Sequence, residues 1–153
     1  MKLNQLAALV IGVSASCLIQ AETVNSNIEL SLTIPKLCTI ANPTSKLLLP
    51  INGSEVSARY AVTCNTGYTI RTTSDNYRTS DWSTFLKNGN LTLKTGIGTK
   101  DPAGNDIRIM DPAKTFAGSR VDNFTLNARL TQSVTPTTTA GTYTDQYRIT
   151  VTY

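Results

Sequence analysis

The chain has 153 residues, of which 40% are hydrophobic and 16% charged, and 14 Lys and Arg against 10 Asp and Glu give a formal net charge of +4. There is no histidine, which excludes the Ser-His-Asp and Cys-His catalytic arrangements, and three cysteines alone leave too few ligands for a zinc site. No Lys/Arg cluster is interleaved with aromatic residues, so the charge does not indicate nucleic-acid binding.

The first segment reads as an export signal. Lys2 precedes an apolar run over 6–13, and small residues then allow cleavage after Ala21 or, less favourably, after Ala15. This order favours a signal over an ordinary N-terminal helix. Cys17 fits a lipoprotein signal poorly and is predicted to leave with the peptide. Cleavage after Ala21 leaves 132 residues, enough for one domain, with a charge of about +3.

An amphipathic strand is predicted at the start of the mature chain. Ile28, Leu30, Leu32 and Ile34 alternate with polar residues, and Pro35 ends the run. The segment is either an edge strand of its own domain or a strand given to a neighbouring copy. Its position, ahead of the first cysteine-bearing strand, favours the second interpretation.

Cys38 and Cys64 remain after cleavage. An even number of cysteines in an exported chain predicts a disulfide, and closing a loop of this length stabilises by roughly 3–4 kcal/mol in the chain-entropy model. A bonded pair leaves no nucleophilic thiol.

The rest of the chain is typical of an all-β sandwich, with short strands between turn residues. Asn88-Gly89 predicts a tight hairpin turn. The Gly-rich stretch 95–106 and the stretch 136–141 are predicted loops, and 95–106 is predicted to be the most mobile. The predicted strands are 37–41, 56–64, 68–72, 84–87, 91–95, 107–110, 124–130 and 143–153, and 46–50 is a short apolar piece.

No residues are predicted to be catalytic, cofactor-binding or metal-binding. The glutamates and aspartates are scattered, and 101–106 lacks the alternating oxygen ligands and terminal glutamate of a calcium loop. We therefore expect a protein that is not an enzyme and carries no cofactor.

The last strand is predicted to border an apolar groove. Tyr147, Ile149, Val151 and Tyr153 share one face of it. An exposed groove with unpaired edges is an aggregation hazard, and a strand from another chain can fill it by β-augmentation.

Taken together, these features resemble the chaperone–usher pilins. The shared order is export signal, donor-like strand, Cys38, Cys64, and Gly141-Thr142-Tyr143 before an alternating terminal strand. The stretch 70–77 after Cys64 is similar to that of the Dr/Afa and aggregative-adherence adhesins. The archaic, spore-coat-U-like pilins share both ends and are the rival branch.

The resemblance implies an incomplete immunoglobulin-like β-sandwich that lacks its final strand and is completed by donor-strand exchange. Residues 1–21 would be the signal peptide, 22–36 the N-terminal donor-strand extension and 37–153 the pilin domain. The implied partners are identical or related fimbrial subunits, a periplasmic chaperone, an outer-membrane usher and a host or surface receptor. The implied role is attachment through a cell-surface fimbria, with a part in virulence.

Two points stay open in the sequence. The basic charge fits either an acidic receptor or an ordinary solvated surface. The alternative function is a monomeric secreted binding domain that completes its own sandwich.

Overall fold

The structure is a computed structural model that describes residues 23–153. The predicted signal peptide, Cys17 and Glu22 lie outside the described residues. The chain divides into two units, Met1–Thr33 and Ile34–Tyr153. In the first unit, residues 23–33 form no helix or strand, and Ile28, Leu30 and Leu32 are 81–92% exposed.

The second unit is built from strands alone. Its described residues contain β1 (Cys38–Ala41), β2 (Val56–Cys64), β3 (Tyr68–Ser74), β4 (Thr84–Asn88), β5 (Leu91–Lys100), β6 (Asp106–Ile107), β7 (Lys114–Phe116), β8 (Arg120–Leu130) and β9 (Tyr147–Thr152).

These strands form two antiparallel sheets of unequal size. The larger sheet has the order β1-β2-β8-β5-β4, with β6 also paired to β5, and the smaller has the order β7-β3-β9. The two sheets enclose one apolar core, so the unit is an immunoglobulin-like β-sandwich. The predicted all-β sandwich is confirmed.

Aromatic side chains fill the centre of the core. Tyr60 of β2 stacks on Phe124 of β8, and Tyr68 of β3 stacks on Phe116 of β7, each pair with ring centroids 5.2 Å apart. Phe116 and Phe124 pack edge to face, and this contact joins the two sheets. Tyr60, Tyr68 and Phe124 lie in strands that the sequence pattern predicted, whereas Phe116 lies in β7.

Polar contacts also tie the sheets together. The Nζ of Lys114, at the start of β7, lies 2.6 Å from Oδ2 of Asp101, just after β5. The Oγ1 of Thr72 donates a hydrogen bond to the Arg108 carbonyl, and the Met110 N–H donates to the Thr72 carbonyl. The segment that leaves β6 is therefore held against β3 of the other sheet.

The disulfide between Cys38 and Cys64 is confirmed. The two residues face each other in the β1–β2 ladder, so the bond fixes the short edge strand β1 to β2. The predicted strands 56–64, 84–87, 91–95 and 124–130 are also confirmed in kind, with ends that differ by a few residues.

The loop prediction for 95–106 is wrong over its first half. Residues Thr95 to Lys100 continue β5 and pair with β8, and the side chains of Thr95 and Thr99 are buried. Gly96 and Gly98 made this stretch look loop-like, but they stand in the outward positions between the buried residues.

Three other strand boundaries also differ. Of the predicted strand 107–110 only Ile107 lies in β6, and the chain turns at Met110, which has a φ of +66°. The last strand begins at Tyr147 and not at Tyr143, and the apolar piece 46–50 forms no strand. The hairpin turn is one residue later than predicted: Asn88 pairs with Leu91, and Gly89 takes the positive φ at the first turn position, as in a type II′ turn. The short strand β7 was not predicted.

Reducing the disulfide should destabilise the fold by roughly 3 kcal/mol, because the unfolded chain regains the freedom of a 26-residue separation. Urea unfolding of the mature protein with and without a reductant measures this. Thiol labelling of the denatured, unreduced protein is the control, and two free thiols per chain would contradict the bond.

Asp101 should make stability depend on pH in the acid range. Burial alone raises the pKa of its carboxyl, but Lys114 and the N–H and side-chain amide of Asn105 outweigh burial and lower the pKa to about 2. A lowered pKa stabilises the folded state above the ordinary value of 3.8, and this contribution is lost as the pH falls through about 2. Asp101→Asn should thus cost about 1–2 kcal/mol at pH 6, and the difference from the unsubstituted protein should shrink towards pH 2. Urea unfolding at several pH values tests this, and a constant difference would contradict it.

Candidate functional site: an open sheet edge

One edge of the smaller sheet has no neighbouring strand. β9 pairs along its length with β3, from Ser74 opposite Tyr147 to Thr69 opposite Thr152, and with no other strand in the described part of the chain. Six residues of β9 therefore present an unpaired edge about 20 Å long.

The hydrogen bonds of β3 show which main-chain groups point to that edge. The Thr72 carbonyl accepts a hydrogen bond from the Met110 N–H, so the main-chain groups of Thr72 point away from β9. The Asp75 N–H donates to the Gln146 carbonyl, so the main-chain groups of Asp75 point towards β9. Main-chain groups alternate in direction along a strand. The N–H and C=O groups that point to the open side are therefore those of Tyr147, Ile149 and Val151.

The side chains of the same residues turn inward. Ile149 and Val151 are partly buried against the aromatic core, as is Cys38 of β1. β1 is itself an edge strand, and Ile40, which pairs with the fully buried Val62, is 40% exposed. The apolar inner faces of both edge strands are thus incompletely covered. Cys38, Ile149 and Val151 pack against the same core cluster, and we call the incompletely covered apolar surface that they form with Ile40 the groove.

The start of β9 is held firmly beside β3. Arg148 forms an ion pair with Asp75, which lowers the pKa of that carboxyl. The Ser74 hydroxyl donates to Asp145 over 2.6 Å, and the Asn76 N–H donates to the same carboxylate over 3.1 Å. These contacts set the position of the open edge before any partner arrives.

A polar contact inside the sandwich fixes the same end of the groove. The hydroxyl of Tyr147 lies 2.9 Å from Oγ1 of Thr99, a buried residue of the opposite sheet. Burial raises the pKa of the Tyr147 hydroxyl, which hydrogen bonds to Thr72 and Thr99 partly offset, so it stays neutral at physiological pH. The inward face of β9 is therefore uncharged at Tyr147.

The predicted site residues fall into two groups. Tyr147, Ile149 and Val151 share the inward face of β9, while Tyr153 follows the end of the strand and is 52% exposed, and the role of these four at a groove edge stays a prediction. The donor-strand residues Ile28, Leu30 and Leu32 are exposed in the first unit, and Ile34 is 72% exposed in the second. Their role as a donor strand stays a prediction.

The contribution of β1 to the groove was not predicted. Ile40 follows Cys38 by two positions, which is the signal that places both side chains on one face. Residues 23–153 contain no group of three or more Cys, Asp or Glu side chains that could hold a metal ion. They also contain no helix long and apolar enough to cross a membrane.

Comparison with known proteins gives matches at the level of structure. No family model matches the chain, and no curated protein matches it. A chain of the CsuC–CsuE chaperone–tip adhesion subunit pre-assembly complex, from the archaic chaperone–usher Csu pili of Acinetobacter baumannii, matches with a TM-score of 0.54 and 16% identity over 79% of this chain. The chaperone–tip adhesin complex of CFA/I fimbriae matches with a TM-score of 0.48 and 15% identity over 75%.

The present chain spans 40% of the length of the Csu chain and 41% of the CFA/I chain. At 16% identity, the Csu likeness concerns the fold, and it agrees with the immunoglobulin-like sandwich described above.

Proposed function

We propose that the protein is a structural and adhesive subunit of a bacterial surface fimbria, and that it polymerises by donor-strand complementation. The observation that carries this proposal is the open edge of β9, where Tyr147, Ile149 and Val151 combine outward main-chain groups with side chains that face the core. An added strand could therefore gain hydrogen bonds and apolar contacts from the same three residues.

The segment 28–34 matches that edge in length and in period. Seven extended residues span about 23 Å, close to the length of β9. In an antiparallel pair, residues directly opposite each other project to the same face. Apolar residues two positions apart, such as Leu30 and Leu32, would then lie opposite Ile149 and Val151, with their side chains in the groove and their main-chain groups bonded to β9.

Burial of the donor side chains supplies the free energy of this contact. Each aliphatic side chain contributes roughly 1.5–3 kcal/mol when it moves from water into an apolar site. Four of them, Ile28, Leu30, Leu32 and Ile34, would hold two subunits together under ordinary dilution. They are strongly exposed in the single chain, so their burial remains available for assembly.

The remaining parts of the proposal follow from the same role. The subunit would be exported to the periplasm, kept from aggregating by a chaperone that covers the open edge, and passed to an outer-membrane usher. The Csu likeness lies with an archaic system, the branch that the sequence analysis held as the rival to the Dr/Afa group. No catalytic step is part of this function.

Polymerisation should be visible on a gel. The protein, expressed with the chaperone and usher of its own host, should run unboiled as a ladder of multiples of the subunit mass and collapse to one band on boiling. Strand exchange resists denaturant because each link buries a full apolar strand. A single soluble species from expression without a chaperone would support a monomeric binding domain instead.

Charged substitutions should separate the two faces of the donor segment. Leu30→Asp or Leu32→Asp would place an unpaired charge against apolar walls, at a cost of several kcal/mol. Each variant should fold with its chaperone but form no ladder. Glu29→Ser is the matched control on the opposite face and should polymerise normally. Full-length fibres from both Asp variants would show that this segment belongs to its own domain.

A further inference from the structure

A second gap in strand pairing lies in the larger sheet. On the side of β5 away from β8, β4 pairs as far as Thr95 and β6 begins to pair at Thr99. The three residues between them, Gly96 to Gly98, have no neighbour on that side among the described residues. A cleft of about 420 Å³ occupies this gap.

The hydrogen bonds of β5 show what the gap exposes. The Thr131 N–H donates to the Lys94 carbonyl, so the main-chain groups of Lys94 point towards β8. The Thr95 carbonyl accepts from the Thr84 hydroxyl, so the main-chain groups of Thr95 point towards β4. By alternation, the N–H and C=O of Ile97 point into the cleft. One main-chain donor and one acceptor of Ile97 thus stand about 3–5 Å apart where β5 lines the cleft.

Two aromatic residues are among those that line the cleft. Tyr77 and Trp82 line the cleft, and Trp82 is 75% exposed with a φ of +53°. Its loop is held in place because Arg78 and Ser83 exchange two main-chain hydrogen bonds and the Arg78 guanidinium binds Asp81. A large apolar ring that lines the cleft is therefore presented to solvent by a hydrogen-bonded loop.

The charge at the cleft is positive. Asp106 is neutralised by Lys100, with Nζ 3.0 Å from Oδ1. Arg108 lines the same cleft, is exposed, and forms no ion pair in the described part of the chain. Its guanidinium offers a planar fork of donors that suits a carboxylate.

We propose that this cleft is the receptor site of the subunit and binds a saccharide that carries a carboxylate. The ring of Trp82 would stack on a sugar face, Ile97 would bond hydroxyl groups through its main chain, and Arg108 would bind the carboxylate. A peptide strand fits poorly, because the gap spans three residues, about 10 Å, and offers one donor–acceptor pair where β-augmentation needs a longer edge.

This inference extends the attachment part of the proposed function and does not depend on polymerisation. Trp82 is the single tryptophan of the chain, so its fluorescence reports on the site directly. The probe is a hyaluronan tetrasaccharide, and its matched control is the same tetrasaccharide with each carboxylate reduced to an alcohol. The titration uses assembled fibres, or the monomer if the protein does not polymerise.

The acidic tetrasaccharide should change Trp82 fluorescence to saturation, and the reduced form should bind at least ~10-fold more weakly, because a charge-assisted hydrogen bond is lost. Arg108→Gln should lower the affinity for the acidic form to that of the reduced form. Tyr77→Ala should weaken the binding of both. Arg71→Gln removes an exposed cation of β3 that does not line the cleft and should leave both affinities unchanged.

Three results would contradict the proposal that this cleft is the receptor site. The first is no saturable response to either tetrasaccharide. The second is equal affinity for the acidic and reduced forms. The third is an equal loss in Arg71→Gln and Arg108→Gln, which would indicate general charge attraction. A ladder on the unboiled gel together with any of these results would leave the polymerisation proposal standing and remove only the receptor site.

Discussion

Unequal sheets are the constraint on which the rest of this structure depends. A three-stranded sheet packs against a larger one, and the apolar inner faces of β1 and β9 are left incompletely covered. Water therefore reaches side chains that belong to the core, and the main-chain groups of β9 on that side have no strand to bond. The groove is a consequence of the strand count and requires no special residue.

An open sandwich must keep its shape while part of its core is uncovered. The Cys38–Cys64 bond holds the short strand β1 to β2. The ion pair between Asp101, which follows β5, and Lys114, at the start of β7, joins the two sheets. The buried carboxylate of Asp122 accepts from the Tyr68 hydroxyl and from the Arg120 guanidinium, which satisfies a charge within the core. The contacts of Asp101 and Asp122 involve no groove residue, while the disulfide holds Cys38, which belongs to the groove, to β2.

Both candidate sites are places where a strand edge lacks a neighbour, and their lengths separate their roles. The edge of β9 runs for six residues and suits another strand. The gap beside β5 runs for three residues and is flanked by aromatic rings and one arginine, which suits a small ligand. The two sites involve different edges, so the proposed assembly and the proposed attachment would not compete for the same main-chain groups.

Local pattern determined much of this fold. Alternation of apolar and polar residues predicted the faces of β2, β8 and β9, because successive side chains of a strand point to opposite faces. The even number of cysteines after the predicted signal cleavage predicted the bond between Cys38 and Cys64. The second half of β5 could not be recognised, since its glycines read as a loop until β8 supplied a long partner. The strand order, the unpaired edge of β9 and the gap at Ile97 were decided by tertiary structure alone. Each depends on which strands fail to meet, and a sequence shows the strands but not their neighbours.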